Sequence, residues 1–94
     1  MSEQGTEHVI FVGKKPVMSY VVACLELFQQ GTNDITLKAR GRAISRAVDT
    51  AQIITKKFVP GVTVKSVELS TEYVKNVETG VSSDVSSMEI HLSK

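Results

Sequence analysis

Apolar residues recur along the chain with two alternating periods, and the order of those periods predicts the fold. His8 to Val12 is a β-branched and aromatic run, nearly continuous in apolar character, as in a strand buried within a sheet. Gly13 ends it, and Pro16 suits the first position of a helix, where its missing N–H costs nothing. Val17, Val21, Cys24, Leu25 and Phe28 then repeat at helical spacing, with Gly31 as the C-terminal stop. Only Glu26 is charged between Pro16 and Gln30, so this helix should be covered on more than one side, by the sheet and by a partner. From Asp34 to Arg40 the pattern alternates: Ile35, Leu37 and Ala39 face a core, and Thr36, Lys38 and Arg40 face out. Gly41 breaks that strand. Ala43, Ile44, Ala47, Val48, Ala51, Ile54 and Phe58 form a second helical stripe, closed by Pro60 and Gly61.

The remainder reads as β. Val62 and Val64 share one phase, and Val67, Leu69, Thr71 and Tyr73 the other, so a bulge is expected near Lys65 and Ser66. Residues 77–84, with Gly80 and several serines, predict a hairpin tip, and Met88, Ile90 and Leu92 the last strand. The order is βαβαββ. The two βα units call for parallel pairing with right-handed crossovers, and the last two strands for an antiparallel hairpin. The fold class expected is α+β, a two-layer sandwich with two helices on one face of a four-stranded mixed sheet. Residues 1–7, polar with Gly5, are expected as a flexible N-terminus, and residues 8–94 as a single domain.

Composition narrows the possibilities. At 41% hydrophobic and 22% charged, the 94 residues suit one globular domain with a modest core that association would help. No apolar run is long enough to span a bilayer, and no signal peptide is expected at the start. A single cysteine, Cys24, cannot form an internal disulfide, which points to a reducing compartment and to the cytoplasm. The net charge of +1 conceals an asymmetry: residues 11–60 hold eight Lys and Arg against three acids, a balance of +5. That distribution predicts a basic face on a near-neutral protein.

Catalytic chemistry is hard to assemble from this chain. His8, His91 and Cys24 match no metal spacing, so no metal and no cofactor are expected. Cys24 lies on the apolar helix stripe, and His91 alternates with core residues and should face solvent. Gly13, Lys14 and Lys15 lack the remaining residues of a phosphate loop. What stands out instead is a pair of basic turns. In a parallel βαβ arrangement both strand-to-helix turns emerge at the carboxyl edge of the sheet. Lys14 and Lys15 should therefore converge with Lys38, Arg40 and Arg42, and Arg46 extends the patch by a helical turn. Such turns can meet phosphate through their cations, backbone N–H groups and the helix dipole. A polyanion fits this pattern better than a small substrate, and the near absence of exposed aromatics argues against base stacking on single strands.

Three blocks carry a family resemblance. Gly13 to Val21 resembles the signature of the Alba family of archaeal chromatin proteins, as do Ile35 to Asp49 and the end Val85 to Ile90. The likeness runs from about residue 8 to residue 93. It implies the same βαβαββ fold in a homodimer, with heterodimers where a paralogue exists. It also implies a non-enzymatic protein that coats or compacts double-stranded DNA, and binds RNA, with little sequence preference. By the same resemblance, Lys14 and Lys15 contact the nucleic-acid backbone, and Arg40 and Arg42 line the binding face. Lys14 matches an acetylation target, and Phe58 matches the aromatic through which dimers meet along DNA. The location implied is cytoplasmic and chromosome-associated. One departure concerns the hairpin arm, whose family counterparts often carry arginines. Residues 74–84 hold one base, Lys75, against Glu78 and Asp84, so the arm should serve mainly dimer geometry, or a weaker RNA-facing role, rather than DNA contact. The runner-up function is an RNA-binding subunit of a ribonucleoprotein such as a ribonuclease P-type particle.

Overall fold

Alternation and helical spacing place the elements where they occur in the computed structural model, which describes residues 8–94. The expected flexible segment 1–7 lies outside the described residues. The order is β1 (His8–Phe11), α1 (Val17–Gln29), β2 (Asp34–Arg40), α2 (Ile44–Ile53), β3 (Thr63–Lys75) and β4 (Ser82–Ser93). A 3₁₀ turn, Gly41–Ala43, leads into α2, and a π turn, Ile54–Phe58, ends it.

The four strands form one mixed sheet in the order β1-β2-β4-β3. β1 runs parallel to β2, and β4 is antiparallel to both β2 and β3. This differs from the sequence expectation in one respect: α2 does not deliver β3 alongside β2, because β4 inserts between them. Both strands alternate apolar and polar residues. β4 turns Met88, Ile90 and Leu92 to the helices, with Ile90 and Leu92 buried, while β3 takes the edge and leaves Val64, Val67 and Leu69 exposed.

Both helices pack on one face. The core joins Tyr20, Val21, Cys24 and Phe28 of α1 with Ala47 and Ala51 of α2. Ile54, Ile35, Leu37, Ile90 and Leu92 complete it. Each fully buried aliphatic side chain contributes about 1.5–3 kcal/mol. Burial pushes the Cys24 thiol up to about 12, so it stays protonated and packs as a small apolar group. Thr36, expected to face out, is buried as well: its Oγ1 lies 2.9 Å from His91 Nδ1 on the outer face of the sheet. His91 is on that outer face as expected, yet it is largely covered. Its Nε2 lies 3.2 Å from a Glu68 carboxylate oxygen and 3.7 Å from one of Glu89.

Local signals read correctly include the stop of α1. Gly31 has φ +98° and donates to Phe28, while Thr32 donates to Leu27, both at 3.1 Å. These are the paired bonds of a Schellman motif, and the left-handed φ favours glycine there. The helix itself starts one residue later than expected, with Pro16 as its cap in an extended conformation. The bulge falls at Lys65: Val64 pairs with Leu92 and Ser66 with His91. This extra residue brings Val64 and Val67 to the same face despite their odd spacing.

The hairpin is longer than its turn signals suggest. Its tip spans residues 76–81, where Asn76 Oδ1 accepts the N–H groups of Glu78 and Thr79 at 2.9 and 3.3 Å. β2 pairs with β4 only as far as Arg40 opposite Ser87. Residues 71–75 and 82–86 therefore pair only with each other, a two-stranded arm extending roughly 15 Å beyond the body.

Candidate nucleic-acid interface

The parallel pairing of β1 with β2 brings both strand-to-helix turns to one edge of the sheet. Phe11 sits opposite Lys38, and the Val12 N–H donates to the Lys38 carbonyl at 2.8 Å. The turns are also joined directly, because the Arg46 guanidinium of α2 donates from Nη1 to the carbonyl oxygen of Gly13. Lys14, Lys15, Arg40 and Arg42 are exposed on this edge, and Lys38 and Arg46 are half-buried.

Gly41 sets the second turn. It has φ +58°, a left-handed conformation that favours glycine, and an added Cβ would lie 3.4 Å from Val85 Cγ1. The chain thus reverses from strand to helix within one residue, and Arg40 and Arg42 emerge on either side of it.

The first turn is organised by a residue the sequence reading passed over. Tyr20 is buried on α1, and its hydroxyl oxygen accepts the N–H groups of Gly13 at 2.8 Å and Lys15 at 3.0 Å. A buried tyrosine needs a polar partner for its hydroxyl, which was the available signal. The consequence corrects one expectation: these two N–H groups are already bonded to Tyr20 and do not point at a phosphate. Positive potential on this turn comes chiefly from the lysine side chains. Tyr20→Phe is expected to keep the fold and to cost about 1–2 kcal/mol in chemical denaturation, since two N–H groups lose their acceptor near water.

The cations are not equivalent. Lys38 pairs with Glu89 at 3.6 Å and Arg40 with Glu72 at 3.1 Å, all four being partly exposed. Surface pairs of this kind contribute about 0–1 kcal/mol, so either cation can exchange its carboxylate for a phosphate at little cost. Among the described residues, Lys14, Lys15 and Arg42 have no ion-pair partner. Arg46 lies behind the turn as a clamp.

Phe58 stands apart from this edge and off the core stripe. The second helix changes to a π turn at Ile54, with the Val59 N–H donating to the Ile54 carbonyl at 2.9 Å. The wider turn rotates Phe58 away from where α-helical spacing would put it, leaving it 48% exposed. Phe11 and Tyr73 are exposed too, at 74% and 77%. This overturns the expectation that exposed aromatics are nearly absent: periodicity assigned Phe11 to a covered strand, but β1 is an edge strand and Phe11 lies on its outer face.

The fold and its edge define a class: a small α+β domain whose two basic strand-to-helix turns converge at the carboxyl end of a mixed sheet. The Alba family model matches residues 8–71. DNA/RNA-binding protein Alba 1 of Archaeoglobus fulgidus is 51% identical over 88 residues, covering 94% of this chain and 97% of that protein. DNA/RNA-binding protein Alba of Methanocella arvoryzae is 48% identical over 88 residues, covering 94% and 91%. The solved structure of Alba from Thermoplasma volcanium superposes with a TM-score of 0.87 at 48% identity, covering 93% of this chain and all of that one. The chain belongs to the Alba family.

Proposed function

We propose that this protein is a non-enzymatic architectural protein that binds double-stranded DNA, and RNA, without sequence specificity, coating or compacting it as a homodimer. The observation that carries the proposal is the joining of two basic turns at one sheet edge, with Lys14, Lys15 and Arg42 exposed and without acidic partners among the described residues. The relatives named DNA/RNA-binding protein Alba support it. Point charges on a turn neutralise phosphates but read no base edge, so affinity should fall with salt and ignore sequence. Fluorescence anisotropy on duplexes of unrelated sequence, each titrated with salt, tests this. Affinities that differ strongly between sequences, or that do not respond to salt, would sink it.

Within this proposal Lys14, Lys15 and Arg42 are the primary phosphate contacts, with Arg40 and Lys38 joining as their carboxylates are displaced. Arg46 holds the Gly13 turn in place. Acetylation of Lys14 would remove one charge and weaken binding mildly. A chromosome-associated, cytoplasmic location follows from this role. A paralogue with the same apolar face could replace one protomer.

Phe58 is assigned to contact between neighbouring dimers on DNA. Its 48% exposure supports that role over a core role. Phe58→Ala should cost well under the ~3–5 kcal/mol typical of a buried phenylalanine. Gel-shift titrations should show cooperativity lost on long duplexes, with affinity for a single-dimer site retained. Unfolding of the variant, or unchanged cooperativity, would remove Phe58 from assembly.

A further inference from the structure

Beside the basic edge lies a cleft of about 390 Å³, lined by Phe11, Gly13, Lys38, Arg40 and Glu72 among others. Its size lies within the range of about 300–1,000 Å³ usual for small-ligand sites. Three kinds of group meet there. Phe11 is a flat apolar ring, 74% exposed, on the outer face of β1 and in register with Lys38. Lys38 and Arg40 supply positive charge. Glu72 reaches in from the hairpin arm, with a carboxylate oxygen 3.1 Å from Arg40.

Glu72 makes the middle of the cleft a poor seat for a phosphate, while Lys38 and Arg40 can still meet phosphates at its sides. The combination suits a flat, uncharged ring that carries hydrogen-bond donors and has phosphates on either side. We propose that the cleft receives an unpaired base of a single-stranded nucleic acid. The base stacks on Phe11, its exocyclic amino group donates to Glu72, and its flanking phosphates lie on Lys38 and Arg40. Bases inside a duplex are already stacked and paired, so the cleft acts on single strands only. An amino group meets the Glu72 carboxylate as a donor, as on cytosine or adenine, whereas the O4 of uracil presents an acceptor to it. The site therefore favours amino-bearing bases. It rests on the proposal that this edge binds nucleic acid.

The chain contains no tryptophan, so Phe11→Trp places a single indole in the cleft. Its emission should be quenched by oligocytidylate and not by duplex DNA. Phe11→Ala should weaken binding of oligocytidylate by roughly 5- to 100-fold, the effect of losing one base–aromatic stack, and leave duplex affinity within about twofold. Glu72→Gln should erase the preference for oligocytidylate over oligouridylate, because an amide offers both a donor and an acceptor. Equal losses on single strand and duplex, no loss on the single strand, or an unquenched indole would overturn the base cleft. If the unaltered protein bound duplex DNA normally while the Phe11 variants behaved like it on every probe, the base cleft alone would fail. If it bound neither kind of nucleic acid, the proposed function would fail with it.

Discussion

Reversing the charge of Lys14 and Lys15 together should leave the protein folded and remove most of its affinity for duplex DNA. Both side chains are exposed, and neither has an ion-pair partner among the described residues. Surface substitutions away from caps and networks usually change stability by no more than about 0.5 kcal/mol. The turn itself is held by Tyr20 and Arg46 through backbone groups of Gly13 and Lys15, which side-chain substitution does not remove. Binding responds differently. Each phosphate contact adds about 0.9 to the slope of log affinity against log salt on B-DNA, so loss of two lysines from each protomer of a dimer should flatten it by roughly 3–4 units. At 100 mM salt the double Lys→Glu variant should bind at least about 100-fold more weakly, on every sequence alike. The double Lys→Gln variant separates lost attraction from added repulsion: it should show the same change in slope with a smaller loss of affinity. An unchanged slope in either variant would place the phosphate contacts elsewhere.

The elements of the fold were legible where a single residue type has one strong local reason to be in place. Gly31 stops α1 because its φ is positive, and Ile35, Leu37 and Ala39 recur at every second position because the helices pack on that face of β2. The bulge was legible as a change of phase. The order of the strands was not. β3 and β4 alternate alike, so hydropathy does not say which lies beside β2, and connectivity alone suggests the wrong neighbour. The candidate site was legible as charge: Lys14, Lys15, Arg40 and Arg42 converge as parallel pairing requires. What holds it was not. Tyr20 to Gly13 and Arg46 to Gly13 are bonds from a side chain to a backbone group, and neither leaves a pattern in hydropathy. Helical spacing put Phe58 on the core stripe, whereas the family resemblance implied the exposed contact that its 48% exposure allows, and only Phe11 was misplaced outright. An α-helical period cannot foresee a π turn, and an apolar run does not say which strand becomes an edge.

Placing aspartate at Val67 and Leu69 should convert a dimer into folded monomers. The helices cover β2 and β4, so the helix-side row of the edge strand β3 has no cover among the described residues: Val67 is 49%, Leu69 74% and Tyr73 77% exposed. Val48 on α2 is exposed as well. An apolar row on an unpaired strand edge is an aggregation hazard for a lone chain, and a small core gains from association. A two-fold symmetric contact through β3 and α2 would cover this row in both protomers and set their two basic edges for a single duplex. Burying two carboxylates per chain without partners should then cost several kcal/mol, enough to raise the dimer dissociation constant by at least about 1,000-fold. Light scattering at micromolar concentration should give twice the 10.2 kDa chain mass for the unaltered protein and the chain mass for the variant. Circular dichroism should show both folded, because neither side chain belongs to the buried core. Half the phosphate contacts then act per particle, so the variant's salt slope on duplex DNA should fall to about half. A monomeric unaltered protein, or a variant that remains dimeric, would remove β3 from the interface.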